Sequence, residues 1–245
     1  MLLKVPIMQK LFPSTVTASL LAVSLLVAST GAAAATTLLS AKEQAQLSAW
    51  LGEGSIALTN IYTKAAGHTA KDFHAAVDGR GRTFSVMQAT DSNGQTWLVG
   101  GYNPQSWTSS GAYNVTENQA DRKAFLFNLT SGKLHRQTPK ANGLDAVGAY
   151  QTYNDAKYGP TFGWGHDLYV PDDLTHGGYS LMYSYINPYA PDTNASLLNG
   201  APFNGFNVTY GAIEVYNIAA VPEPAAYGML LLGMGLLGWV ARRKA

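Results

Sequence analysis

From residue 73 to residue 218 the chain is written in short apolar runs, each soon interrupted by glycine, asparagine, aspartate or proline. Runs of that length suit strands and are too short for long helices. Asp78, Gly79 and Gly81 make a tight connection. Residues 83–88 then alternate as a strand, Asp91 and Gly94 bound a turn, and residues 95–100 open the returning strand of a hairpin. Residues 123–129, with a turn at Ser131 and Gly132, and residues 167–170 and 211–218 add three further strands. Upstream the period changes. Across residues 38–51 Ser40 can cap a helix, Glu43 stands three positions on, Leu47, Trp50 and Leu51 share a stripe, and Gly52 and Gly54 stop it. Residues 55–62 fit a short helix or a strand equally well. Several antiparallel strands behind an N-terminal helix predict an α+β, sheet-dominated domain; no internal repeat is visible.

This domain lies between two apolar ends. Lys4 and Lys10 precede an apolar run over residues 18–28, and Gly31 with four alanines offers small-residue cleavage sites. Residues 1–35 therefore read as a signal peptide, with the mature chain starting near Thr36. An uncleaved anchor is the alternative, but the apolar core is shorter than the roughly 20 residues a bilayer requires. At the other end Pro222, Glu223 and Pro224 precede an uncharged stretch, residues 225–241, and then Arg242, Arg243 and Lys244. About 17 residues at a rise of about 1.5 Å reach roughly 25 Å, enough to span a bacterial inner membrane with the basic end in the cytoplasm. A plain C-terminal anchor would also use these parts. In this order they resemble a PEP-CTERM sorting signal over residues 221–245. The resemblance implies recognition by an exosortase, a membrane enzyme, with removal at or near the Pro-Glu-Pro box. It also implies a Gram-negative host that makes exopolysaccharide, an inner-membrane intermediate, and a final place at the cell surface or outside the cell.

Charge and cysteine content remove several classes of function. The 245 residues include no cysteine, which excludes disulfides and Cys-ligated zinc or iron-sulfur sites. Residues 36–220 carry 11 Lys+Arg against 14 Asp+Glu, a net of 11 − 14 = −3, with no basic cluster. A nucleic-acid partner is not expected.

The ordered pieces of residues 36–220 resemble the TLD domain family. Leu38, Leu39 and Ser40 with residues 47–51 match its opening, and Phe73, His74, Asp78, Gly79 and Thr83 match the entry to its first hairpin. Gly100, Gly101 and Tyr102 with Trp107 match a glycine-aromatic element, and residues 124–127 a core strand. The glycine-rich residues 158–168 match its microbial form, and Phe206 with residues 213–216 its closing strand. The resemblance implies a two-sheet antiparallel β-sandwich with flanking helices. Residues 177–205, polar and aromatic, do not align with the animal members. Those members are linked to protection from oxidative damage and to the vacuolar-type proton ATPase, roles that do not carry over to an exported chain.

No His-Glu-x-x-His pair, nucleophile elbow or phosphate loop of Walker type occurs. His166 and Asp167 are the most suggestive catalytic pair, since a carboxylate can orient a neighbouring imidazole. Adjacent residues on a strand point to opposite faces, however. His74 is a third candidate, and the resemblance places it in a structural element. The glycine-rich residues 159–165 could present amides to an anion, or could pack tightly under Phe162 and Trp164. Asp91 to Gly94 has a partial likeness to a calcium loop but lacks its spaced ligands; Asp167, Asp172 and Asp173 are the better oxygen donors for an extracellular calcium ion. No other cofactor is expected. Eight tyrosines, at positions 150, 153, 158, 169, 179, 183, 185 and 189, suit a sandwich core or a face that stacks on sugars or proteins. These features predict an exported, non-enzymatic binding domain for a protein or exopolysaccharide. A hydrolase-like enzyme using His166 and Asp167 and a purely structural matrix protein are the alternatives.

Overall fold

The computed structural model describes residues 37–138, 145–186 and 195–220, together with position 234. Residues 1–35, the Pro-Glu-Pro box (Pro222, Glu223 and Pro224), the 225–241 stretch apart from position 234, and Arg242, Arg243 and Lys244 lie outside the described residues. Among the described residues no helix is long and apolar enough to cross a membrane.

Helix α1, Ala41–Leu51, starts where the capping pattern placed it: the Ser40 amide donates to Glu43 Oε2 at 2.8 Å, and Gly52 takes φ 74° at the C-cap. Strand β1, Ile56–Thr63, resolves the ambiguous segment through pairing that is not local, since Ile56 faces Ala220 on β11, Thr209–Ala220. Helix α2, Ala70–Val77, falls where short extended runs were expected. Its buried residues Ala70, Phe73, His74 and Val77 follow i, i+3, i+4, i+7 spacing, and Thr69 and Asp72 bond at its start. Strands β2, Thr83–Thr90, and β3, Thr96–Asn103, form the expected hairpin. Asp91 Oδ1 accepts from the amides of Asn93 and Gln95 at 2.9 and 3.0 Å, so this loop is an Asx-type hairpin turn.

The rest is built of shorter pieces: β4, Ala112–Val115; β5, Phe125–Asn128; β6, Lys133–Arg136; α3, Asp145–Gly148; β7, Tyr150–Asn154; β8, Thr161–Phe162; β9, Leu168–Tyr169; and β10, Tyr179–Ser180. Two antiparallel sheets result, one of six strands in the order β1-β11-β2-β3-β5-β6 and one of five in the order β10-β9-β8-β7-β4. The protein is therefore the α+β two-sheet sandwich with flanking helices that the sequence implied.

The six-stranded sheet is covered on both sides. Phe84, Val86, Phe125, Phe127 and Ile218 pack beneath Leu39 and Leu47 at the α1 layer, with Trp50 6.2 Å from Phe127. Met87, Val99, Leu126, Ile213 and Val215 face Phe162 and Leu168 of the second sheet, and Phe73 and Val77 of α2 join that core. Each such side chain contributes about 1.5–3 kcal/mol on leaving water. Gly101, opposite Ser85 and Leu126, lies directly against the second sheet: an added Cβ would stand 2.5 Å from Phe162 Cζ. The five-stranded sheet, by contrast, turns its other face outward, and that face carries the candidate site.

Candidate functional site

The residues marked by sequence go to three separate places. His74, on the last turn of α2, is buried and faces an acceptor at each ring nitrogen: Asp78 Oδ1 lies 2.7 Å from Nδ1, and the carbonyls of Asp155 and Tyr158 lie 2.9 and 3.0 Å from Nε2. It clips α2 to the β7–β8 loop. Ser109, which sequence reasoning passed over, donates to Asp78 Oδ2 at 2.7 Å. In this chain of contacts the carboxylate stands between hydroxyl and imidazole, whereas activation of a serine needs the imidazole in the middle.

His166 and Asp167 diverge. Asp167 is fully buried, its Oδ2 accepting from the amides of Tyr183 and Tyr185 at 2.6 and 2.9 Å. Its Oδ1 has no partner and lies against Gly163. Burial pushes this carboxyl up to about 7, against the opposing pull of the amides of residues 183–185. His166 instead adopts φ 70°, a left-handed conformation that a non-glycine residue rarely takes, and its ring turns to the outer face. Burial among aromatic rings pulls its imidazole down to about 4, opposed by the Gly163 carbonyl and Asp155. The two neighbours thus diverge because His166 sits in a left-handed turn just before β9, not through the alternation of a strand.

The oxygen donors proposed for calcium are not brought together either. Asp167 is enclosed, while Asp172 and Asp173 are exposed, and Asp173 is engaged with the amides of Thr175 and His176 and with the His176 ring. Among the described residues no group of three or more His, Asp or Glu could hold a metal ion. The glycine-rich turn spends its amides internally: Gly163 N donates to the Gln151 carbonyl and Trp164 N to Ser184 Oγ. It packs over Phe162, but Trp164 points outward and is 44% exposed.

That tryptophan begins an aromatic strip across the outer face of the five-stranded sheet. Trp164 packs on Tyr150 at 4.5 Å and Tyr113 at 5.6 Å; Tyr113 meets Tyr153 at 4.6 Å. Tyr153 continues to His166 at 5.2 Å and Tyr158 at 5.5 Å, and His166 stacks on Tyr169 at 5.5 Å with 21° between the rings. Tyr169 then meets Tyr179 at 5.0 Å, and Tyr179 meets Phe206 at 4.9 Å and Phe203 at 5.5 Å. A β-bulge at Gln151, where Asn114 pairs Thr152 but Val115 pairs Tyr150, brings Tyr150 and Tyr153 of β7 to the same face although they are three positions apart. Phe206 is 67% exposed and Phe203 39%. Of the eight tyrosines singled out by sequence, four line this strip without being fully buried, at 150, 153, 158 and 169, and Tyr179 closes it. Tyr185 belongs to the core, and Tyr189 lies outside the described residues. Tyr113, His166, Trp164, Phe203 and Phe206 could not be assigned to one surface from spacing alone.

The domain is thus a two-sheet sandwich whose inner sheet is covered and whose outer face is aromatic and partly exposed. Comparison with known families is specific: the TLDc domain matches residues 33–219 and the PEP-CTERM protein-sorting motif matches residues 220–244. The chain belongs to the TLDc domain family, and its tail marks it for export, exosortase processing and sorting to the cell surface. No curated protein matches it.

Proposed function

We propose that this chain loses residues 1–35 on export, passes through an inner-membrane intermediate held by residues 225–241, and is cut near Pro222, Glu223 and Pro224. The domain of residues 36–220 then acts at the surface or outside the cell as a non-enzymatic binding module for a protein or exopolysaccharide partner. The observation that carries this reading is the partly exposed aromatic strip from Trp164 to Phe206. Aromatic side chains with polar tips are the residues most enriched where one surface meets another. Support also comes from the catalytic candidates, since His74 and Asp167 are committed to backbone partners and His166 to its neighbouring rings.

Two experiments test the reading. Intact masses of the native protein from membrane, envelope and medium should show a product from near Thr36 to near Pro222; a full-length chain confined to the membrane would refute the processing. Peptide, ester and glycan substrate panels should show no turnover. An activity abolished by His166→Ala in a folded protein would instead establish an enzyme.

A further inference from the structure

We infer that the outer aromatic strip is a track for a neutral polysaccharide chain, with the amide-lined cleft at its Phe203 end receiving sugar hydroxyls. This rests on the reading that the outer sheet face is the domain's binding surface.

The shape of the strip selects an extended ligand. Tyr113, Tyr153, Tyr158 and Tyr169 surround one position, as in the aromatic cages that take a quaternary ammonium group. Here His166 already fills that position, within 5.2 to 6.5 Å of all four rings. The filled cage offers a continuous set of ring faces and edges rather than a hole, with Tyr158 edge-on to His166 and Tyr169 at 83° and 84°. The row is one to two rings wide and crosses from β4 to β10, four interstrand steps of about 4.8 Å, roughly 19 Å in all. A stable protein interface needs about 800 Å² on each side, which a row this narrow supplies poorly. A linear chain of pyranose rings can lay its C–H faces along the row and leave its hydroxyls to the tyrosine tips.

Charge selects a neutral chain. The charged groups that bear on Tyr153 and Tyr169 from the outer side are the carboxylates Asp155, Asp172 and Asp173. Lys157, in the same turn as Asp155, offsets that one, and Lys64, held at Leu174 and Thr175, offsets Asp173, which leaves Asp172. Acidic polysaccharides would meet like charge beside β9, where Asp172 is exposed, and the uncharged imidazole adds no cation.

A second feature is continuous with the strip. Phe203 stands on the rim of a cleft of about 70 Å³ lined also by Asp91, Asn93, Ser196, Asn199 and Asn207. Asn199 Nδ2 donates to Asp91 Oδ2 at 3.2 Å and Asn207 Nδ2 to Asn204 Oδ1 at 2.8 Å, which holds these groups in place while each keeps further hydrogen-bonding capacity. Paired amide and carboxylate groups beside an aromatic ring complement the neighbouring hydroxyls and the apolar face of one sugar.

The test uses the full chain in a detergent without a sugar headgroup, run on native gels containing xyloglucan, galactomannan, hydroxyethylcellulose, dextran or, as the acidic comparison, alginate. At least one neutral polymer should retard the wild-type protein, with retardation insensitive to salt. Trp164→Ala and Phe206→Ala, both at exposed rings, should each weaken it about tenfold, and Asn207→Ala should weaken it while Lys133→Ala on the other sheet should not. Retardation by alginate alone, lost in salt, would overturn the proposal. So would binding untouched by Trp164→Ala and Phe206→Ala, or the absence of retardation by every neutral polymer. In parallel, host surface extract is crosslinked to wild type and to the same variants. A protein partner lost on Trp164→Ala, with no neutral polymer bound, would refute the polysaccharide and keep the outer face as a binding surface. Loss of neither kind of contact on these substitutions would refute both.

Discussion

Replacing Asp167 with Asn removes a titrating group from a fully buried position and leaves its shape almost unchanged. The amide oxygen can still accept from the amides of Tyr183 and Tyr185, which lie 2.6 and 2.9 Å from Oδ2, and the new NH2 takes the place of Oδ1, which has no partner. In the wild type, burial raises this carboxyl from the ordinary 3.8 to about 7. At about 1.4 kcal/mol per pH unit, the ionised form is disfavoured in the fold by about 4 kcal/mol. A folded value above the unfolded one favours the native state at low pH, below the unfolded value near 4, and that advantage is lost as pH rises through about 7. Wild type should therefore lose stability between pH 4 and 8 relative to Asp167→Asn. The two should match within about 1 kcal/mol at pH 4, while at pH 8 the variant should be more stable by up to about 4 kcal/mol, less whatever its two neutral hydrogen bonds give up against charged ones. For a domain of this size that corresponds to roughly 8–16 °C in Tm. Thermal unfolding of both proteins across pH 4–8.5 measures it, and the other carboxylates cancel in the difference. Parallel curves, or a variant less stable than wild type at pH 8, would refute the account of Asp167.

Three further outcomes follow from the packing. Gly101→Ala should cost about 2–3 kcal/mol in urea unfolding, because its Cβ would meet Phe162 Cζ at 2.5 Å and Leu126 Cδ2 at 2.9 Å; adding Phe162→Leu should recover part of the loss. Lys64→Met should destabilise by about 1–3 kcal/mol, since Nζ lies 2.8–3.0 Å from the carbonyls of Leu174, Tyr210 and Gly211 and from Thr175 Oγ1 and shares its protons among them, and hydrogen exchange should show β11 opening first at Tyr210 and Gly211, where its register with β2 shifts before Ile213. Calcium should produce neither binding heat in calorimetry nor a rise in Tm, because Asp167 is enclosed while Asp172 and Asp173 lie on the surface; a calcium-dependent rise would reinstate an oxygen-ligand site.

The parts of the fold legible in the sequence were those settled by neighbours along the chain. Ser40 and Glu43 start α1 and Gly52 stops it through contacts three or four residues long. Asp91 closes the β2–β3 hairpin on its own amides in the same way. Helix α2 was legible and passed over: Thr69 with Asp72 and the spacing of Ala70, Phe73, His74 and Val77 were available as its signal. Strands β8, β9 and β10, at two residues each, are too short to carry any period. Of the candidate site, sequence reasoning supplied most of the tyrosines and the suggestive His166 and Asp167, but not which of them share a surface.

Local patterning and the ordered motifs thus decided the class of domain, its C-terminal sorting motif and its secondary structure where turns and caps are short-range. Tertiary structure decided the rest because sheet neighbours are distant in sequence. β1 is a strand because it pairs with β11, far on in the sequence, with Ile56 facing Ala220, and Gly101 is required because Phe162 from the other sheet and Leu126 from β5 both crowd it. Rings at positions 113 to 206 form one surface only after β4, β7, β9 and β10 share a sheet. Whether a tyrosine is core or contact surface depends on which face of that sheet is covered, and composition carries no record of it.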